Sequence, residues 1–141
     1  MKTGKWILTM GVLLTVAIVG CNKYEDGPGI SLQSKKERVA NTWKIEQALR
    51  DGEDVTSDYD EFTLRTTKDG DAELAALYSF GAFSFEYETM GTWQFETDKE
   101  NISFDYQDDD ADVTYQILRL EEDNMWLREK GGEDELHLIT K

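Results

Sequence analysis

The sequence predicts an all-β domain, an antiparallel meander of about eight or nine strands preceded by a short helical turn. Apolar and polar residues alternate along most of the chain after Thr42, and short clusters of Asp, Glu, Asn and Gly separate the alternating runs. Parallel strands need crossover connections of a dozen or more residues, so strands joined by such short turns must be antiparallel neighbours.

The first 20 residues have the layout of a secretory signal peptide. Lys2 and Lys5 precede the apolar run Trp6–Val19, and the small residue Gly20 closes it. The run has 14 residues, whereas a helix needs about 20 to cross the hydrocarbon core of a bilayer. We therefore expect residues 1–20 to be removed; the alternative is a retained transmembrane anchor.

Residues 18–21, Ile-Val-Gly-Cys, resemble the lipobox of bacterial lipoproteins. The resemblance implies that the Cys21 thiol receives a diacylglycerol, that the chain is cut after Gly20, and that the new N-terminus is acylated. A thiol suits this role because its thiolate is a strong nucleophile. Each buried CH₂ of an acyl chain contributes about 0.8 kcal/mol, so the lipid bilayer is the first expected partner. The alternative is an ordinary signal peptide with a chance Cys near its end.

Residues 21–33 are expected to be the lipidated Cys and a flexible tether, because Gly27, Pro28 and Gly29 fall there and little else can pack. Residues 23–26, Lys-Tyr-Glu-Asp, resemble the charged signal that sends some lipoproteins to the outer face of the outer membrane. A solvated linker explains them equally well. The expected location is the cell envelope, on the outer membrane, either periplasmic or surface-exposed.

The remaining chain is very acidic. Without residues 1–20 it carries 13 Lys and Arg against 30 Asp and Glu, a formal charge of −17. Such a surface repels nucleic acid and anionic lipid. Nucleic-acid binding is therefore excluded. Attraction of cationic partners or metal ions is permitted, but solubility alone explains the charge equally well.

Each predicted element has a local signature within residues 34–141, the predicted domain. Ser34–Val39 is the helical turn, with Ser34 as N-cap and Glu37 completing a capping box. Gly81 is expected to bend or split the long run from Leu74 to Met90. The predicted strands follow the alternating apolar residues, which are Trp43–Leu49, Phe62–Leu64, Leu74–Phe80, Phe83–Tyr87, Trp93–Phe95, Ile102–Tyr106, Val113–Ile117, Met125–Leu127 and Leu136–Leu138.

Residues 39–141 resemble the lipocalin-like domains of small bacterial lipoproteins. Lipocalins begin their first strand with Gly-x-Trp, and this chain has Asn41-Thr42-Trp43, with Asn in place of Gly. A second motif of that kind, Gly91-Thr92-Trp93, is followed by the aromatic strand Asn101–Tyr106 and by Tyr115-Gln116-Ile117. Members of this group are mostly uncharacterised, so the resemblance implies a lipocalin-like barrel more than a function.

Five aromatic residues are candidates for a ligand cavity or for the core that would replace it: Trp43, Trp93, Phe104, Tyr115 and Trp126. Aromatic side chains commonly line apolar pockets. An eight-stranded barrel has room for its own side chains or for one small ligand. The bulk of the aromatic residues favours a filled interior.

Asp108, Asp110 and Asp112 crowd one turn and offer the hard oxygen ligands that Ca²⁺ prefers. An EF-hand loop from Asp108 fails, because Val113 stands where Gly is required and Arg119 where the bidentate Glu is required. A solvated acidic hairpin is the favoured interpretation, with no metal or other cofactor.

Catalysis is not predicted. His137 is the only His and is expected to face outward or to lie at the barrel edge, and no Gly-x-Ser-x-Gly elbow occurs. We expect a non-enzymatic lipoprotein that binds a small apolar ligand. The alternative is a structural or protein-interaction module whose acidic surface meets a cationic envelope protein.

Overall fold

Nine strands follow one short helix in the computed structural model, which describes residues 33–141. The predicted signal segment, Cys21 and the tether up to residue 32 lie outside the described residues. The elements are α1 (Lys35–Val39), β1 (Thr42–Arg50), β2 (Glu53–Asp54), β3 (Tyr59–Thr66), β4 (Asp71–Phe80), β5 (Phe83–Phe95), β6 (Asn101–Tyr106), β7 (Val113–Leu120), β8 (Asn124–Glu129) and β9 (Glu135–Thr140). Short 3-10 turns occupy Thr56–Asp58 and Asp109–Ala111.

All strand pairings are antiparallel, and sequence neighbours pair in order from β3 to β9. The pairing of β1 with β9 closes eight strands into a barrel, and β2 adds one short extra strand beside the end of β1. The prediction of an all-β antiparallel meander is therefore confirmed. None of the helices in residues 33–141 is long and apolar enough to cross a membrane.

The helix forms as predicted and covers one end of the barrel, here called the base. The Ser34 hydroxyl accepts from the Glu37 backbone N–H at 3.3 Å, and the Glu37 carboxylate accepts from the Ser34 N–H at 2.7 Å. The Arg38 guanidinium donates to the Leu120 carbonyl oxygen at 2.9 Å. The first two contacts satisfy two of the free N–H groups at the helix start, and the third attaches α1 to the end of β7.

The opposite end, here called the mouth, is loosely closed. Near the base β1 pairs with β3, but only through Thr42 and Trp43, so the two strands separate toward the mouth. Similarly, β5 pairs with β6 only from Gly91 to Phe95, although β5 begins eight residues earlier. The barrel wall is thus continuous near the base and open near the mouth.

Gly91 explains why β5 runs unbroken through the region that separated two predicted strands. A Cβ atom at this position would lie 1.9 Å from the carbonyl oxygen of Asp105 on β6. Because no other residue lacks that atom, only Gly allows the two backbones to approach here. Gly81, with φ 59°, is the first residue of the two-residue turn that splits β4 from β5, as the sequence predicted.

The packed core fills the lower half of the barrel. Trp43 and Trp93 are buried there, and their indole N–H groups donate to the carbonyl oxygens of Val39 at 2.9 Å and Thr67 at 2.8 Å. The remaining residues of the core are aliphatic or aromatic, namely Val39, Leu64, Ala72, Ile102, Phe104, Tyr106, Ile117, Leu120, Met125, Leu127 and Leu138.

Candidate functional site

A cavity of about 510 Å³ occupies the upper half of the barrel and opens at the mouth. Its volume falls within the range of about 300–1,000 Å³ that is usual for small-molecule sites. Leu64, Phe104, Tyr106, Leu127 and Leu138 belong both to the packed core and to the cavity lining, so the cavity directly borders the core. The expectation of a filled interior is therefore correct only for the lower half.

The lining is predominantly apolar and aromatic. Aliphatic side chains come from β4, β7 and β9, among them Leu74, Val113 and Leu136. Three charged residues, Arg50, Asp110 and Glu129, lie among the lining residues at the mouth. Eight aromatic rings complete the wall: Tyr59, Phe62, Tyr78, Phe85, Tyr87, Phe104, Tyr106 and Tyr115.

Six of these rings form two groups, and within each group the rings contact one another. On β3 and β4, Tyr59 meets Phe62 edge to face at 6.2 Å and Tyr78 at 5.1 Å between ring centroids. On β6 and β7, Phe104 stacks on Tyr106 at 5.9 Å and meets Tyr115 edge to face at 6.2 Å. Such geometries are favourable for aromatic pairs, so the cavity is preformed by its own wall contacts.

Tyr106 and Tyr115 place polar atoms in this apolar wall. Burial raises the pKa of both hydroxyls well above the usual value. The nearby Asp112 carboxylate raises the pKa of Tyr106 further, and the neighbouring Tyr106 and Tyr59, followed by Glu129, do the same for Tyr115. Both therefore stay neutral and can donate a hydrogen bond. Neither hydroxyl has a hydrogen-bond partner within residues 33–141. Tyr115 lies deep in the domain yet is only half-buried, because its accessible surface faces the cavity.

Arg50 is the one cation among the described lining residues, and its charge is already engaged. Its guanidinium donates a short hydrogen bond to the Tyr78 hydroxyl and lies 3.9 Å from the Asp58 carboxylate. It also lies over the rings of Tyr78, at 5.4 Å from the centroid, and Phe80, at 5.8 Å. Arg50 thus links the end of β1 to the end of β4, where the two strands are not directly paired.

An exposed aromatic strip continues the cavity wall beyond the mouth. Phe80, Phe83 and Phe85 at the β4–β5 turn are 58%, 69% and 50% exposed. Their side chains lie on the same face of the β4–β5 hairpin as those of Tyr78 and Tyr87, which line the cavity. A ligand that projects from the cavity would therefore meet further apolar surface.

Formal charge is distributed very unevenly between the two ends of the barrel. The mouth segments 50–61, 78–88, 107–112 and 129–135 contain sixteen Asp and Glu against two basic residues, Arg50 and Lys130. The base segments contain ten acidic and nine basic residues; they are 34–44, 65–73, 94–101, 119–126 and 140–141. The electrostatic field of the domain is therefore concentrated at the mouth of the cavity.

The five predicted aromatic candidates separate into three locations. Phe104 and Tyr115 line the cavity. Trp43 and Trp93 lie in the packed core beneath it. Trp126 points away from the interior, because its neighbours Met125 and Leu127 are the buried residues of β8.

Outside the barrel, Trp126 stacks on His137 with 4.1 Å between ring centroids and 7° between planes. The Arg119 guanidinium lies 4.3 Å from the Trp126 ring centroid on the adjacent strand. His137 therefore faces outward, as predicted, and its Nε2 lies 2.8 Å from a Glu135 oxygen. Burial opposes ionisation of Glu135, but hydrogen bonds from Arg128 and His137 outweigh it and lower its pKa.

Asp108, Asp110 and Asp112 lie around the 3-10 turn between β6 and β7. Asp108 accepts from the Asp110 N–H at 3.2 Å, and Asp112 accepts from the Tyr106 N–H at 2.7 Å. These carboxylates cap the turn and the end of β6. In the part of the chain that the structure describes, no group of three Asp, Glu, His or Cys is arranged to hold a metal ion.

Sequence reasoning did not single out most of the cavity lining. The predicted strand Phe62–Leu64 is shorter than β3 and excludes Tyr59. Alternation predicts that Tyr78, Phe85 and Tyr87 face inward, but it assigns them no part in a ligand site. The signal was present in the alternation of β4 and β5, whose inward positions carry these rings.

Comparison with protein-family models, curated proteins and solved structures gave no match. The lipocalin-like and lipobox resemblances therefore stay predictions, and the functional argument depends on the geometry of the cavity.

Proposed function

We propose that the chain is a lipid-anchored protein of the cell envelope whose lipocalin-like barrel binds one small apolar ligand without catalysing a reaction. The observation that carries the proposal is the open cavity of about 510 Å³. A preformed concave site lined by apolar and aromatic side chains, with a few polar groups, is the usual form of a small-molecule site.

The energetics of the cavity support binding. Burial of apolar surface stabilises a complex by about 25 cal/mol per Å², and the wall is already ordered by the contacts among its rings. Little conformational entropy is therefore lost when a ligand enters. The Tyr106 and Tyr115 hydroxyls supply hydrogen bonds that can orient a ligand within the apolar space.

A matched pair of substitutions on β4 tests the binding role. Ala76 lines the cavity, whereas the adjacent Ala75 is exposed on the outer face of the same strand. Ala76→Trp should fill the cavity and abolish retention of lipids extracted with the protein from its host, as measured by native mass spectrometry. Ala75→Trp should retain them. Equal retention by both variants would refute a ligand site inside the barrel.

The anchor is tested independently of the cavity. Cys21 lies outside the described residues, and its lipidation is proposed from residues 18–21. Metabolic labelling with radioactive palmitate should mark the wild-type protein and not the Cys21→Ser variant, and fractionation should place the labelled protein in the outer membrane. Equal labelling of both proteins would exclude Cys21 as the site of acylation.

A second candidate function, an interaction module for a cationic envelope protein, is favoured by the sixteen acidic residues at the mouth. Exposed charges are screened within about 10 Å at 0.1 M salt, so such a complex should dissociate as salt rises. It should also persist in the Ala76→Trp variant, which distinguishes it from ligand binding in the cavity.

A further inference from the structure

We infer that the ligand of the cavity is an organic cation, an apolar body that carries a protonated amine or a quaternary ammonium group. The inference rests on the proposed binding function and adds its specificity. Three features of the mouth support it: the distribution of formal charge, the state of the charged lining residues, and the aromatic rings beside them.

The first feature is the field through which a ligand must enter. The sixteen acidic residues at the mouth outnumber the basic ones eightfold, whereas the base is nearly balanced. A low-dielectric cleft bordered by charges of one sign concentrates the potential and raises the local concentration of ligands of the opposite sign. A cation is attracted into this cavity, and a carboxylate or phosphate is repelled from it.

The second feature is the state of the charges that line the cavity. Asp110 and Glu129 lie on the rim, and within residues 33–141 neither carboxylate is bound by an ion pair or a side-chain hydrogen bond. By contrast, Arg50 already contacts Tyr78 and Asp58. A ligand cation therefore finds two carboxylates that are ready to pair, while an anion would have to displace the partners of Arg50.

The third feature is the aromatic surface just inside the rim. Tyr106 and Tyr115 line the cavity together with Asp110 and Glu129. Quaternary and protonated amines bind to the faces of aromatic rings through the ring quadrupole. A ligand cation that pairs with Asp110 or Glu129 therefore lies beside these aromatic rings.

Three probes with the same ten-carbon chain test the inference on the full chain: decyltrimethylammonium, decanoate and neutral 1-decanol, each below its aggregation concentration. Isothermal titration calorimetry at low and at physiological salt gives their affinities. The trimethylammonium probe should bind at least roughly tenfold more tightly than decanoate at low salt, and the difference should shrink as salt rises.

Substitutions that remove one acidic charge, either at the rim or at the base, show which carboxylates attract the cation. Asp110→Asn and Glu129→Gln should each weaken binding of the trimethylammonium probe several-fold and leave 1-decanol unchanged. Asp69→Asn and Glu100→Gln make the same chemical changes in exposed turns at the base and should leave both affinities unchanged. If the base variants weaken binding of the trimethylammonium probe as much as the rim variants do, the preference for a cation comes from the net charge of the domain and the inferred site is wrong.

The remaining outcomes separate this inference from the proposed function. If decanoate or 1-decanol binds as tightly as the cation and Ala76→Trp abolishes the binding of all three probes, the cavity binds ligands but the inferred specificity is wrong. If Ala76→Trp leaves the binding of every probe unchanged, the cavity is not the site, and both the proposed function and the inference fail.

Discussion

The indole nitrogen of Trp43 lies 2.9 Å from the carbonyl oxygen of Val39, and this buried hydrogen bond joins the first strand to the helix that covers the base. Trp43 is completely inaccessible to solvent. The contact therefore combines a large buried ring with a satisfied donor at the point where the helix meets the barrel.

Replacement of Trp43 by Phe should destabilise the domain by about 2–4 kcal/mol, because a hydrogen bond is lost and a gap is left in the packed core. Urea denaturation followed by circular dichroism measures this change. Trp126→Phe is the matched control. Its indole nitrogen is buried and has no hydrogen-bond partner among residues 33–141, so the cost should be smaller. Equal costs would contradict the role assigned to the Trp43 contact.

Gly91→Ala should prevent the native pairing of β5 and β6. The new methyl group would lie 1.9 Å from the Asp105 carbonyl oxygen, which is backbone and cannot rotate away. We expect a loss of several kcal/mol or no folded protein, as judged by soluble yield and thermal unfolding. Gly132→Ala meets nothing nearer than 3.9 Å and should be tolerated. A folded Gly91→Ala variant of normal stability would contradict this register.

Glu37 gives the helix a dependence on pH. Hydrogen bonds from Ser34 and the nearby Lys68 ammonium lower its pKa to about 2. Because the pKa is depressed in the folded state, its contribution is present above about 4.5 and is lost as the pH falls toward about 2. The difference in unfolding midpoint between wild type and Glu37→Gln should therefore shrink over that range. Lys68→Gln should narrow the range by raising the Glu37 pKa.

The buried tyrosines predict alkaline destabilisation. The pKa of Tyr106 and of Tyr115 is raised chiefly by burial, so the folded state retains protons that the unfolded state releases above about pH 10. Stability should therefore fall as the pH rises beyond that value. In a titration followed at 295 nm, these two tyrosines should ionise only when the domain unfolds. Tyr115→Phe should reduce the rise in absorbance at 295 nm that accompanies unfolding, because one fewer tyrosine then ionises at that step.

Much of the fold is predictable because alternation of apolar and polar residues is a local signal. Ser34 and Glu37 form the predicted capping box, and the strands follow the predicted runs. The segment Asp51–Asp58 escaped prediction because it has one apolar residue, Val55, and no period. Its short strand pairs with the end of β1 across the two-residue turn Asp51-Gly52, in which both residues have positive φ. The Asp-Gly pair is therefore the one local signal that could have predicted this hairpin.

The candidate site was only partly predictable. Alternation indicates that Trp43 and Tyr115 both face inward, but it does not show which lies in packed space and which borders a void. That depends on the height of each residue along the barrel axis and on the separation of β1 from β3. Trp126 could have been placed correctly, because Met125 and Leu127 on either side of it are the better inward pair.

The separation of charge between the two ends of the barrel orients the domain beside a charged surface. A molecule that is negative at one end and nearly balanced at the other is an electric dipole. Beside a negatively charged planar surface it experiences a torque that turns the acidic end away from that surface. Because residue 33 enters the domain next to α1, at the balanced end, the opening of the barrel and the point of entry of residue 33 lie at opposite ends of the domain.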